Sequence, residues 1–512
     1  MAIRNSHRSE GPLMRLARQS VVALVAGVGA RALFLLATVA VMRWLDPILN
    51  GKVQLGLFLG SLAALGAELG LRGLALRQLA APGLSGLDSA RYVAAMLWVR
   101  LVAMIGTLLL TRAVLEFAGY APDIQFLAQG FALFWMFDGL ALLLKYAFRA
   151  MGTVAPEVIG TFIGRLALLV SCLAVLWLDA TPGSVLAGFL FGATIECVVL
   201  FSLLVRRLGW AVFVVPSPRM AWNTVVMAVP FLGFVAIQTF NQRLGVVVLS
   251  ASEGQLGPTG AALTAEWALK EVGAFSAAYR FPEAISFIPV TLTGLLVPAL
   301  VRLAGEEKSS TRMAGLTLRV MALVAVALAL VFTMGRDVLA QLTGDGKFAG
   351  AGLVFGLLGC WVGVMVLQAA TLNMLIAKGL YRAVLGRYIA AALGNLILSL
   401  SLIPTLGAAG AALGLLLADL AGLATDLWIL CRRTHYVQGR DLRDLLLAIL
   451  PAGALLFHAV TNPHPLSVWP ITLALILAPW CVGWLIGAEL PAIASRWATL
   501  RRRSGKARGT GG

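Results

Sequence analysis

From about residue 20 to residue 487 the sequence is a succession of apolar runs joined by short polar links. A bilayer's hydrocarbon core takes roughly 17–25 helical residues to cross. Runs of that order fall at about 20–42, 53–75, 92–111, 124–146, 155–178 and 183–205. A second series lies at about 224–250, 273–301, 315–334, 351–376, 383–403, 408–430, 444–460 and 468–487. Within hydrocarbon every backbone N–H and C=O must be bonded inside the protein, so unbroken runs of this length read as helices. The expected fold is an all-α polytopic membrane protein with about 14 transmembrane helices. The thirteenth run is short and contains Pro451, which makes twelve the next count. With 60% hydrophobic and 12% charged residues, the chain holds more apolar surface than one soluble core absorbs. The longest extramembrane link, about 251–270, is too short to fold alone. The run from Ser20 exceeds a secretory signal and lacks a cleavage site, so it reads as a retained first helix.

The 40 Lys and Arg residues give the chain a formal charge of +17, and their placement carries the argument. With the N-terminus inside, 28 fall on inner segments and six on outer ones: Arg43, Lys52, Arg112, Lys270, Arg336 and Lys347. The positive-inside rule then supports an even number of spans with both termini in the cytoplasm. The charge is thus a matter of topology, and nucleic acid is not an expected partner; membrane lipids are. The organisation reads as a basic N-terminus (1–19), six spans (20–205), a basic connector (206–223), six spans (224–431), two extra helices (432–487) and a basic tail (488–512). The first hairpin of each half ends on a matching element, Leu74-Ala75-Leu76-Arg77 and Pro298-Ala299-Leu300-Val301-Arg302. Paired bundles around a central site are a common transporter architecture.

Six arginines remain, all inside spans: Arg31, Arg72, Arg100, Arg165, Arg243 and Arg280. An arginine at mid-bilayer costs about 2.5–3.5 kcal/mol on insertion scales, so it faces a partner or a wet cavity. Arg31, Arg243 and Arg280 converge on one cavity if the halves face each other. Gln238, Asn241, Gln242 and Tyr279 make their surroundings unusually polar. Several guanidiniums in a low-dielectric cavity suit a phosphate or pyrophosphate. The competing account is that each is neutralised by an internal acid, with Glu271 and Glu283 near Arg280, or snorkels to an interface. Arg72 follows Glu68 by four residues, the favourable order for a structural ion pair. Arg100 and Arg165 share their bundle with Asp138 and Glu196, which leaves either buried ion pairs or a place in the cavity.

Asp419 and Asp426 are seven residues apart on one helical face, and Asn373 and Asn395 lie in neighbouring spans. Two carboxylates and two amides are candidates for a coupling Na⁺ or proton, the alternative being pairing with Arg382, Arg387 or Arg432. Pro230, Pro282, Pro289 and Pro298 crowd the opening hairpin of the second half and are candidate hinges. The five cysteines and four histidines are scattered without CxxC or metal-ligand spacing, so neither a disulfide framework, a metal site nor a further cofactor is expected. Walker A, HExxH and GxSxG motifs are missing, which argues for a transporter and against an enzyme.

Four stretches together resemble one family. They are Arg43-Trp44-Leu45-Asp46-Pro47 through Gly51, Glu68-Leu69-Gly70-Leu71 through Arg77, Val272 through Arg280 followed by Pro289 and Pro298, and Ile403-Pro404 through Ala412. In order and spacing over about 20–430 they resemble the polysaccharide-export flippases, which translocate O-antigen or exopolysaccharide units, of the multidrug/oligosaccharidyl-lipid/polysaccharide (MOP) exporter superfamily. Asp46 stands where that pattern has glycine, and Phe275 where it has tyrosine. The resemblance implies two six-helix lobes in a V around a central cavity, plus two C-terminal helices. It also implies alternating-access flipping of a polyprenyl-pyrophosphate-linked saccharide, with a polysaccharide polymerase and export machinery as partners. A peptidoglycan-precursor flippase of the same superfamily is the nearest alternative. A drug antiporter would favour acids in its cavity, and a membrane glycosyltransferase or polymerase would need a substantial catalytic loop.

Overall fold

The computed structural model describes residues 12–79, 86–151, 153, 155–258, 260–294, 300, 307–344, 347–348, 351–434, 436–439, 441–443 and 445. In the first half the helices are α1 (Pro12–Trp44), α2 (Pro47–Glu68), α3 (Leu71–Leu79), α4 (Gly86–Phe117), α5 (Pro122–Ala150), α6 (Ala155–Leu178) and α7 (Pro182–Leu208). A 3₁₀ turn, Gly209–Phe213, leads to α8 (Pro218–Ser250), α9 (Ala265–Ile285) and α10 (Phe287–Gly294). Then come α11 (Glu307–Met334), α12 (Arg336–Gly344), α13 (Ala351–Ala377), α14 (Tyr381–Leu406) and α15 (Ala408–Ile429). Among the described residues there is no strand, only an isolated bridge between Leu256 and Ala262.

Helix starts follow local chemistry. Asp46 accepts from the amides of Ile48 and Leu49 at 2.9 and 3.0 Å, with Pro47 in the first turn where a missing N–H costs nothing. Thr181-Pro182 and Ser217-Pro218 repeat the device, and Thr264 caps α9 through the Trp267 amide. Two expected spans are interrupted. The run 53–75 divides at Leu69 and Gly70, both in the left-handed region (φ 47° and 74°), which ends α2 before α3 begins. Apolar periodicity hides such a break because Leu69 is itself apolar. The run 273–301 starts earlier, at Ala265, and breaks between Ile285 and Phe287. Pro289 has no N–H to offer the Ile285 carbonyl one turn back, so a continuous helix would leave that group unbonded.

Among the described residues, ten helices are long and apolar enough to cross a membrane; α8 and α9, which carry Arg243, Arg280 and Glu283, are not among those ten. The expected spans 444–460 and 468–487 lie outside the described residues, apart from Leu445.

By contact the chain forms two compact units. The first takes the described residues of 1–287, 337–355 and 385–422. Its helices approach through small residues: Gly160 and Gly164 of α6 abut Leu200 and Glu196 of α7, while Gly188 and Gly192 of α7 abut Cys172 and Leu168 of α6. Such small-xxx-small surfaces replace the hydrophobic drive that lipid removes. An aromatic knot of Phe34, Phe131, Phe134, Trp135 and Phe189 fills the space between α1, α5 and α7, with ring centroids 5.1–6.5 Å apart. On α4, Val102, Ile105 and Leu109 are 64–68% exposed, an apolar outer face suited to hydrocarbon. Where α14 meets α15, Gly407 takes φ 56° and the Ala408 amide donates to the Glu271 carboxylate at 2.6 Å, a cap supplied by α9. The second unit takes the described residues of 288–336, 356–384 and 423–445. In it Gly359 and Gly363 of α13 abut Thr333 and Ala329 of α11, and Arg319 pairs with Asp441 at 2.7 Å.

Candidate functional site

A cavity of about 370 Å³ opens in the first unit between α1, α5, α6 and the end of α9. Helical spacing sets its lining. Asp138, Lys145 and Arg149 recur along one face of α5, and Glu157, Thr161 and Arg165 follow at four-residue steps on α6. Arg31 and Phe34 come from α1, and Arg280 and Glu283 from α9. Among the described residues, five cations and three acids therefore line the cavity. A larger cavity of about 1010 Å³, between α2, α4, α8 and α9, is walled mainly by apolar residues such as Leu55, Leu62, Val114 and Phe240.

On the α5–α6 side the charges are matched. Arg165 pairs with Asp138 and reaches Glu196 at 3.6 Å, while Lys145 donates to the other oxygen of Glu196 at 2.7 Å. Arg149 forms a two-pronged pair with Glu157. On the α8–α9 side they are not matched. One carboxylate, Glu283, serves two guanidiniums: Oε1 accepts from Arg243 and Oε2 from Arg280, both at 2.6 Å. Arg280 also donates to Gln54 Oε1 from Nε and Nη2, at 3.2 and 2.9 Å. The ring of Phe58 lies 4.6 Å from the Arg243 guanidinium and 5.1 Å from that of Arg280, and Tyr279 adds a second face to Arg243 at 5.5 Å. Arg31 is exposed to the cavity and rests on the Phe287 ring at 4.3 Å. Among the described residues no carboxylate lies within ion-pairing distance of it.

Arg31, Arg165 and Arg280 thus share one cavity, and Arg243 joins them through Glu283. Arg243 and Arg280 share one internal acid, Glu283, so two guanidiniums stand against one carboxylate. Arg165 takes both roles, ion-paired and cavity-lining. Arg100 is buried elsewhere, donating to the Met136 carbonyl at 3.4 Å against Gly139. Gln238 and Gln242 are half-buried on α8 and do not line this cavity. Tyr279 stacks on Phe275 at 5.7 Å. Asn241 turns to a different cluster: it donates to Asp419 at 3.2 Å, and Asn395 donates back to its side-chain oxygen at 3.0 Å, with Ser399 donating to Asn395. Asp426 and Asn373 belong to the second unit, where Thr371 donates to Asp426 at 3.0 Å and Asn373 donates to Thr293 at 2.8 Å. Asp419 and Asn395 thus meet at Asn241 in the first unit, while Asp426 and Asn373 bond to Thr371 and Thr293 in the second. Among the described residues no group of three or more His, Cys, Asp or Glu is placed to hold a metal.

Glu68 ends α2, and the side chain of Arg72 lies outside the described residues. So does that of Pro230, though α8 runs through it without interruption. Pro282 sits inside α9 one turn before the break, Pro289 lies just after it, and Pro298 is outside the described residues. Sequence reasoning missed Lys145 and Arg149, which it counted with the inner segments. Both belong to α5, and Lys145 is buried because Glu196 compensates its charge. Their seven- and eleven-residue spacing from Asp138 was the available signal. Gln54 and Phe58, on α2, gave none.

The chain is a multi-pass integral membrane protein. Its fold is similar to those of solved flippase and multidrug-transporter structures. It matches the solved structure of the lipid II flippase MurJ in an inward closed conformation with a TM-score of 0.67, at 11% identity, over 92% of this chain and 100% of that one. It matches an inward-facing multidrug resistance MATE family transporter with a TM-score of 0.62, at 14% identity, over 81% of this chain and 98% of that one. For the eukaryotic MATE transporter AtDTX14 the TM-score is 0.51, at 15% identity, over 85% and 98%. No family model matches the sequence, and no curated protein matches it.

Proposed function

We propose that the chain is a flippase that carries a polyprenyl-pyrophosphate-linked saccharide from the inner to the outer leaflet of a bacterial inner membrane. The observation that carries this reading is the cation excess of the cavity, with Arg31 open to it and Arg243 and Arg280 sharing one acid. Guanidinium forks bind phosphate oxygens by paired, charge-assisted hydrogen bonds, and a dry site strengthens them. A cationic drug would meet repulsion in the same place. The Asp138–Arg165–Glu196–Lys145 set adds no net charge and leaves this preference unchanged.

On this reading the chain crosses the membrane fourteen times with both termini cytoplasmic, and two six-helix lobes open alternately to either side. Asp419, held by Asn241 among buried amides, is the coupling residue for Na⁺ or a proton. The flipped lipid passes to a polysaccharide polymerase and export machinery. Likeness in fold to a lipid II flippase supports a second reading, in which the headgroup is a peptidoglycan precursor.

The test is reconstitution of the full chain in liposomes with a fluorescent lipid-pyrophosphate-saccharide, scoring arrival in the far leaflet. The native chain should transfer it, and the triple variant Arg31→Ala/Arg243→Ala/Arg280→Ala should fall at least about tenfold, the loss of one charge-assisted contact or more. Undiminished transfer by the triple variant overturns the reading. Running lipid II beside a polysaccharide-unit lipid separates the two headgroups.

A further inference from the structure

The flippase reading assigns Arg243 and Arg280 to the cargo's pyrophosphate, yet in this structure both are already occupied. Glu283 bonds one with each of its oxygens, at 2.6 Å each. Its side chain is 24% exposed, while those of Arg243 and Arg280 are 9% and 2% exposed. Glu283 lines the cavity, and Arg243 does not. The carboxylate therefore stands between the cavity and the Arg243 guanidinium. Nε and Nη1 of Arg243 have no hydrogen-bond acceptor among the described residues and face aromatic rings instead.

We propose that Glu283 is a built-in counter-anion, a resident competitor that the cargo phosphate must displace from Arg243 and Arg280. This rests on the flippase reading of the same cavity. A carboxylate and a phosphate present similar oxygen pairs to a guanidinium fork, so each site bonded by Glu283 is one that a phosphate oxygen can take over. The exchange trades one anion for another at the arginine pair: the carboxylate leaves as the more highly charged pyrophosphate diester arrives, and Arg31 is placed to meet the surplus. The displaced carboxylate remains near Arg31, which has no carboxylate partner among the described residues, across the break between α9 and α10.

The competitor has a purpose in a carrier that must release its load. Two buried arginines without an acid would hold a pyrophosphate too tightly to let it go, and a cargo that is not released halts the cycle. A resident carboxylate lowers affinity at both openings and re-forms the pair once the cargo leaves. It also compensates one of the two buried cations of the empty carrier, and bonds both, during its return.

The test uses the full chain, measuring inorganic pyrophosphate binding by calorimetry and lipid transfer in liposomes. Glu283→Gln removes the competing charge and should bind pyrophosphate about tenfold or more tightly, since a charge-assisted bond is exchanged for a weaker one. It should at the same time transfer the lipid more slowly. A merely structural Glu283 predicts that both fall together. Glu283→Asp keeps the charge with one methylene less and should shift both readouts in the same directions by less. Should Glu283→Gln fail to fold, the charge-neutral double variant Arg243→Gln/Glu283→Gln removes one cation with the acid, and Arg280 should then bind pyrophosphate at least as tightly as the native site. Weaker binding by the single and double variants, or by the double alone when the single does not fold, overturns the proposal. If the native chain binds pyrophosphate through Arg31 but Glu283→Gln gains nothing, the competitor fails and the flippase reading stands. If the native chain neither binds pyrophosphate nor transfers the lipid, the flippase reading fails first.

Discussion

Two clusters of buried charge face the same cavity, one on α5–α7 and one on α8–α9. The first holds Asp138, Lys145, Arg165 and Glu196, two acids against two bases. The second holds Glu283 against Arg243 and Arg280, with Arg31 nearby on its aromatic support. In sequence they look alike, as isolated charges in apolar helices. A balanced set fixes geometry at little net field, whereas an unbalanced one leaves a standing attraction for an anion. The difference between scaffold and site here is one of stoichiometry.

That contrast can be broken experimentally. The largest expected effect is in the balanced cluster. Glu196→Ala leaves Lys145 and Arg165 short of an acid in a dry environment, a loss of about 3–5 kcal/mol that should appear as a lower melting temperature in detergent. Its effect on transfer should follow from lost folded protein, with normal transfer per folded molecule. In the unbalanced cluster the order reverses: Arg31→Ala should leave melting nearly unchanged, because no ion pair is lost, while transfer drops roughly tenfold. Arg31→Lys should recover only part of it, since an ammonium lacks the planar fork. The smallest effect belongs to the exposed pair Arg112–Glu116, where Glu116→Gln should cost only about 0.3–0.5 kcal/mol by thermal melting. If Arg31→Ala destabilises as strongly as Glu196→Ala, the division between scaffold and site is wrong.

Much of the architecture was legible in the sequence because a bilayer leaves a helix few alternatives. Apolar runs, proline starts such as Asp46-Pro47, and the rarity of buried arginine all have local causes. Partner choice does not. Arg280 takes Gln54 from 226 residues away, and Asn241 takes Asp419 from 178 away. Asp419 and Asp426 share a helical face by spacing, yet they bond to different neighbours in different units. Lys145 was misplaced for a related reason. It lies at the margin of an apolar run, where a lysine ordinarily reaches water, and only Glu196 across the bundle holds it inside.

The cap on α15 has a consequence for the order in which the chain is made. Glu271 and the Ala408 amide it bonds are separated by 137 residues. The ribosome delivers the acid long before the turn at Gly407 exists, so the carboxylate waits through the synthesis of α10 to α14 without this partner. The contact closes only as α15 emerges, late in synthesis. A chain interrupted before α15 would thus hold every residue of the arginine cluster and still lack the contact that ties α9 to the α14–α15 turn.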